Sequence, residues 1–165
     1  MNYLDTDIRY CKGIGEKKAQ LFNKLGVINV RDLVSYFPRK YEDRSSFKPI
    51  ALTCDGETVC INALAAEDAR LVRIRRGLEL VKFRVVDESG SVDITFFNQP
   101  YIKNNIHRGD SLNIYGKIIG VGGKRTMTNP VIEREGTVGG ITGRIVPVYR
   151  LTTGLSQKLI MSAVR

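Results

Sequence analysis

The sequence predicts a mainly β chain with a helical front: a five-stranded, partly open barrel preceded by a small hairpin of helices. Three observations predict it. Apolar residues recur at helical spacing through the first forty or so positions, then alternate with period two from about Glu57. Turn residues cut the alternating stretch into strand lengths at Arg76-Gly77, Asp87-Glu88-Ser89-Gly90, Arg108-Gly109-Asp110 and Gly122-Gly123. A proline-opened segment, Pro100 to Ile106, separates the third alternating set from the fourth and reads as a short helix. The 165 residues fit one domain with an appendage or two small ones. With 42% hydrophobic and 26% charged residues, there is enough apolar mass for a core, which excludes disorder as the main state.

At the front, Leu4, Ile8 and Cys11 have helical spacing, and Ala19, Phe22 and Leu25 resume it. Between them, Gly13 and Gly15 bracket Ile14, which is the pattern of a helix-hairpin-helix. Glycines allow the tight turn, and the next helix presents free N–H groups and a positive dipole end. Gly13, Gly15, Lys17 and Lys18 therefore form a candidate phosphate-binding hairpin. A compact turn that touches no ligand fits the pattern equally well. Gly26 reads as a helix stop and Asn29 as the cap of a further helix, with Asp32 near its positive end. Leu33, Val34 and Phe37 are expected on that helix's apolar side, and Pro38 ends it. Arg39 to Ser45 is expected to be a solvated polar connector.

The strands follow. Val59, Ile61 and Ala63 form the first inward set; Val81, Phe83 and Val85 the second; Val92, Ile94 and Phe96 the third; Leu112, Ile114 and Ile118 the fourth. A fifth strand is expected at Lys124 to Asn129. Three strands, a short helix and two strands is the order of an OB-fold. The expected division is a helical region over 1–48, the barrel over 49–135, and a connector with the start of a helix over 136–165. That last helix is expected over Ser156 to Arg165, with Leu155, Leu159, Ile160 and Ala163 apolar.

Such barrels bind single strands on the outer face of strands two and three. The alternation places Lys82, Arg84, Thr95 and Phe97 there, joined by Tyr115 and Lys117 of strand four, with Tyr101 opening the helix. An aromatic among cations suits base stacking beside phosphates; packing of Phe97 against a neighbour is the competing account. Arg70, Arg73, Arg75 and Arg76 lie within seven residues. On an extended hairpin Arg73 and Arg75 share a face and can follow a phosphate backbone, unless Glu67 and Asp68 compensate them. Lys103, Lys124 and Arg125 complete the candidate nucleic-acid-binding set.

Other chemistries find little support. Gly120 to Thr126 lacks the phosphate-loop spacing and falls between strands rather than before a helix. Cys11, Cys54 and Cys60 are odd in number, and His107 is the single histidine, so no zinc site assembles at usual spacing. Cys11 and Cys60 read as buried and Cys54 as a loop residue in a reducing compartment, which points to the cytoplasm. No nucleophile–base pair stands out, and no catalytic residue is expected. No apolar run approaches the roughly 20 residues of a membrane span. Met1 to Arg9 has Asp5 and Asp7 and no apolar leader core, so no secretory signal is expected. The formal charge is +9, with an excess of +4 over residues 1–50, zero over 51–108 and +5 over 109–165. An anionic partner fits this balance, although a soluble basic protein would also show it.

Four stretches together carry a resemblance: Lys12-Gly13-Ile14-Gly15-Glu16-Lys17-Lys18-Ala19, Asp32 to Arg44 with its P-R-K-Y-E-D-R run, Phe96-Phe97-Asn98-Gln99-Pro100-Tyr101, and Arg144 to Lys158 with V-Y-R-L-T-T-G-L-S-Q-K. They run nearly end to end and resemble the N-terminal wedge region of the RecG family of bacterial ATP-dependent DNA helicases. The resemblance implies an OB-fold wedge that meets the branch of replication forks and Holliday junctions in fork reversal, recombination and repair. Motor domains that use ATP and Mg pull the duplex. Family aromatics that stack on unpaired bases match Phe97 and Tyr101. The partners implied are branched DNA, single-stranded DNA at the branch and the chain's own motor domains, with no membrane. This chain holds none of the ATPase motifs, so it is expected to be a C-terminally truncated piece without enzymatic activity or cofactor of its own. One departure is that no long helical extension precedes Leu4, as it does in some members. A protein–protein OB module and an RNA-binding OB domain remain the alternative readings.

Overall fold

The computed structural model describes residues 2–138 and 140–164. The chain forms two compact units. One is contiguous, Asp43–Ile145; the other joins the residues up to Glu42 with those from Val146 onward. This differs from the expected 1–48, 49–135 and 136–165 division, because the last helix shares a core with the front of the chain.

In the discontinuous unit, the expected first helix is replaced by two 3-10 turns, Tyr3–Asp5 and Ile8–Tyr10. The backbone groups a helix would use are taken elsewhere. Ile8 N–H donates to the Ile28 carbonyl at 3.1 Å, and Val30 N–H donates to the Thr6 carbonyl at 2.9 Å. Asp7 also caps Arg9 N–H at 2.9 Å, a local bond that competes with helix. Helix α1 (Glu16–Asn23) buries Ala19 and Phe22. Gly26 follows at φ +81°, a left-handed stop that suits glycine. Helix α2 (Val30–Val34) opens on a full capping box between Asn29 and Asp32. It lasts five residues, so Leu33 is buried while Val34 and Phe37 are exposed rather than packed. The expected solvated connector contains a strand, β1 (Lys40–Asp43), which pairs with β9 (Ile145–Val148). Its partner lies a hundred residues away, where a local reading of charge cannot find it. Helix α3 (Gln157–Val164) and its preceding loop place Tyr149, Leu155 and Ile160 in one core with Ile8, Ile14, Phe22 and Leu33. Arg165, expected at the end of α3, lies outside the described residues.

The contiguous unit contains β2 (Thr58–Ala65), β3 (Arg70–Arg75), β4 (Leu78–Val86), β5 (Ser91–Phe97), β6 (Ser111–Ile119), β7 (Thr126–Thr128) and β8 (Val131–Arg134). Pairing runs β2-β4-β5-β7-β6 and closes through β2–β6, with β5 and β7 parallel and the other ring pairs antiparallel. This ring order, with a 3-10 turn at Pro100–Asn104 between its third and fourth strands, is the OB-fold. The inward sets are those the alternation predicts: Val81, Phe83, Val85, Val92, Ile94, Leu112, Ile114 and Ile118 are all at most 1% exposed. Gly116 breaks the inward row of β6 for a steric reason, since a Cβ there would sit 2.9 Å from Pro130 Cβ. Strand β8, absent from the sequence reading, pairs with β6.

Asp87 staples the β4–β5 turn. Its carboxylate accepts from Ser89 N–H (2.7 Å), Gly90 N–H (2.9 Å) and Ile50 N–H (2.8 Å). Burial alone would raise its pKa, but these bonds and the Ser89 hydroxyl outweigh burial and hold the carboxyl below its ordinary value.

Candidate nucleic-acid interface

The outer face of β4 and β5, extended by β3, carries Lys82, Arg84 and Phe97 of the predicted residues. Cross-strand pairing sets them in rows. Arg70, Lys82 and Thr95 form one row; Val72, Leu80 and Phe97 form the next. Directly opposed side chains have Cβ atoms about 5 Å apart. The face therefore sets an apolar strip ending in Phe97 beside a row with two cations.

Phe97 is 41% exposed and Tyr101 62%. Both are tied to the same hydrogen-bond chain. Phe97 N–H donates to Asn129 Oδ1 at 2.9 Å, and Gln99 Nε2 reaches the same oxygen at 3.5 Å. Tyr101 Oη then donates to Gln99 Oε1 at 2.9 Å. Asn98 and Asn129 are the two non-glycine residues at positive φ among the described residues, +52° and +47°. Asparagine tolerates this left-handed backbone better than other side-chain-bearing residues. Asn98 also exchanges bonds with Glu79: its Oδ1 accepts Glu79 N–H at 3.0 Å and its N–H donates to Glu79 O at 2.8 Å. The Phe97 backbone is thus held on both sides. The alternation reveals Phe97 but not Asn98, Gln99 or Asn129; the signal for two of these lay in the Phe-Asn-Gln-Pro-Tyr run itself.

The cations differ in how free they are. Arg84 makes a two-pronged ion pair with Asp93 at 2.7 and 3.1 Å, which raises its pKa further and offsets its charge. Arg73 Nε sits 2.9 Å from Glu79, and Arg70 lies 3.9 Å from Glu67. The hairpin is therefore compensated in part, and by Glu79 more closely than by the Glu67 and Asp68 suggested from sequence. A register shift between Arg73 and Arg75 interrupts the alternation expected to put them on one face. Arg75, Lys103, Lys117 and Lys124 are exposed, and Lys82 is half-buried.

Two predicted residues are committed inward. Arg125 is 9% exposed, and its guanidinium donates to the carbonyls of Gly122 (3.0 Å) and Ala51 (3.1 Å). It does not present charge at the surface as expected. Tyr115 carries the Arg44 guanidinium 4.1 Å above its ring, a cation–π contact that covers one face. In the front hairpin, Gly13 has φ +85° and Ile14 is buried, while Lys18 Nζ donates to the Gly13 carbonyl at 2.8 Å. Lys18 thus closes its own turn, and Lys17 is exposed. Cys60 is buried, Cys11 half-buried and Cys54 exposed. Among the described residues no helix is long and apolar enough to cross a membrane.

The model of the RecG wedge domain matches residues 7–165. A Streptococcus pneumoniae ATP-dependent DNA helicase RecG is 28% identical over 162 residues, covering 98% of this chain and 23% of the relative. The Thermotoga maritima ATP-dependent DNA helicase RecG is 30% identical, covering 94% and 20%. A solved structure of RecG bound to a three-way DNA junction superposes with a TM-score of 0.83 at 28% identity, covering 99% of this chain and 22% of that one. The chain therefore spans about a fifth of the length of its curated relatives. With its OB barrel and a family match over nearly its whole length, the chain belongs to the RecG wedge-domain family.

Proposed function

We propose that the chain is the branched-DNA-binding wedge of an ATP-dependent DNA helicase acting in replication-fork reversal, recombination and repair. Phe97 and Tyr101 stack on unpaired bases where the strands part, and the cations beside them hold the flanking phosphates. The observation that carries this reading is the Asn129–Gln99 relay, which ties the Phe97 backbone and the Tyr101 hydroxyl to one hydrogen-bond chain beside the Arg70–Lys82 row. An anchored backbone under one ring and an anchored hydroxyl on the other reduce the entropy lost in ordering a stacking platform on binding. Splitting follows from that platform, because a base stacked on protein is no longer available to its partner strand.

ATP and Mg belong to the motor domains of such a helicase. The glycine-rich Gly120 to Lys124 segment joins two strands, and Asp55 accepts the Gly120 N–H at 2.7 Å, placing a carboxylate where a phosphate would need a donor. The DNA-binding reading predicts that the chain prefers a labelled fork over a matched single strand and over tRNA, with affinity falling steeply in salt. Phe97→Ala with Tyr101→Ala removes the fork preference while the folded barrel persists. Equal affinity of that double variant for the fork would overturn the stacking role.

A further inference from the structure

The discontinuous unit has its own aromatic and cationic recess, outside the OB face. Tyr36, Phe37, Arg39 and Arg150 line a cavity of about 410 Å³. Its wall is rigid. Tyr36 and Tyr149 stack at 5.9 Å with 13° between their planes, and Tyr36 Oη donates to the Arg150 carbonyl at 2.9 Å. Arg39 N–H donates to the Val148 carbonyl at 2.8 Å, which sets Arg39 against the strand leading to Arg150. Phe37 contributes nothing to the core of this unit: it is 78% exposed, between Tyr36 and a proline that fixes the backbone.

The two arginines differ from the other described arginines of this unit. Arg9, Arg31 and Lys40 in the same unit each have a carboxylate within 3.3 Å. Arg39 and Arg150 are exposed and have no acidic partner within 4 Å among the described residues. A folded surface that leaves two guanidinium groups uncompensated beside a bare aromatic ring has the donors for phosphate oxygens and the π-face for a base.

We infer that this recess is a second nucleic-acid site, which takes one unpaired nucleotide of a DNA single strand: Phe37 stacks on the base, and Arg39 and Arg150 hold the phosphates on either side. The inference rests on the DNA-binding reading above but not on the role of Phe97. A single strand is favoured over a duplex because a base inside a duplex already has both faces covered by its neighbours and leaves none for the ring.

Titrating a labelled thymidine 20-mer and a 20-bp duplex across a salt series tests it. Arg39→Gln with Arg150→Gln makes the log–log salt dependence for the oligonucleotide shallower by about 1.4, or about 0.7 for each phosphate no longer neutralised. Phe37→Ala weakens oligonucleotide binding by on the order of tenfold, with the slope unchanged and duplex binding within about twofold. All three side chains are exposed, so near-UV circular dichroism will match wild type. An unchanged slope in the arginine variant, or equal weakening on both DNAs in Phe37→Ala, overturns the second site. Failure of the underlying reading looks different: the wild-type chain then binds neither fork nor oligonucleotide at low salt.

Discussion

Asn129 has two tasks that different substitutions separate. Its backbone occupies the left-handed region, and its Oδ1 receives the Phe97 N–H and Gln99 Nε2. Asn129→Gly keeps the backbone and deletes the acceptor. We expect fork affinity to fall, though less than for Phe97→Ala, with stability lowered by about 1 kcal/mol. Asn129→Ala adds about 1–2 kcal/mol of backbone strain; urea unfolding alongside the fork titration checks both. Neighbours Lys124 and Arg125 form a second contrast. Arg125→Ala removes a buried charged donor from the Gly122 and Ala51 carbonyls and lowers unfolding free energy by about 2 kcal/mol, with the salt slope of duplex binding unchanged. Lys124→Ala leaves stability intact and, where Lys124 meets a phosphate, flattens that slope by about 0.9. Sequence alone makes these two look alike. Arg125 bonds to Ala51, over seventy residues away, and no local pattern announces such a partner. Phe97 was legible because a period-two pattern reports which side of a strand a residue occupies, and that side is enough to leave it on the surface.

At the scale of elements, the barrel strands were legible because each buries one face. The alternating sets of β2, β4, β5 and β6 need no partner to be recognised. Strands β1, β8 and β9 were not, because they are four residues each, too short for an alternation to declare itself, and β1 and β9 find their partners only in one another. The front helix fails for the converse reason: its spacing is helical, but its backbone groups are claimed by residues 28–30. Turns held by side chains carry their own pH dependence. Asp87 has its pKa lowered in the folded barrel. The stabilisation it supplies is therefore present above the ordinary aspartate value, near 4, and is lost as pH falls through the lowered one. Asp87→Asn is expected to reduce stability at pH 7 by about 1.5–3 kcal/mol, the range of a hydrogen bond to a charged group. It should also flatten the decline in acid, which denaturant midpoints between pH 7 and pH 3 will show.

For the whole molecule, the net charge says less than its pairing. The formal +9 includes arginines neutralised by neighbours, such as Arg84 with Asp93, and others without an acid partner among the described residues, such as Arg39 and Arg150. Polyanion binding should follow the second kind. The division into units was not visible from composition, since nothing in the last twenty residues signals that Leu155 and Ile160 belong beside Ile8 and Phe22. It leads to an asymmetric prediction. A fragment of residues 43–145 contains the closed ring and its whole core, and is expected to give dispersed amide resonances and cooperative melting. A fragment of residues 1–42 lacks Tyr149, Leu155 and Ile160, and is expected to show neither. The same arrangement sets a timetable during synthesis. Ile8, Phe22 and Leu33 leave the ribosome first, yet the side chains that complete their core follow only after the 103 residues of Asp43–Ile145. At about 5–20 residues per second that interval lasts about 5–20 s, so this segment, made before the barrel, completes its core after it. Through that time its apolar side chains lack the native neighbours that cover them in the folded chain.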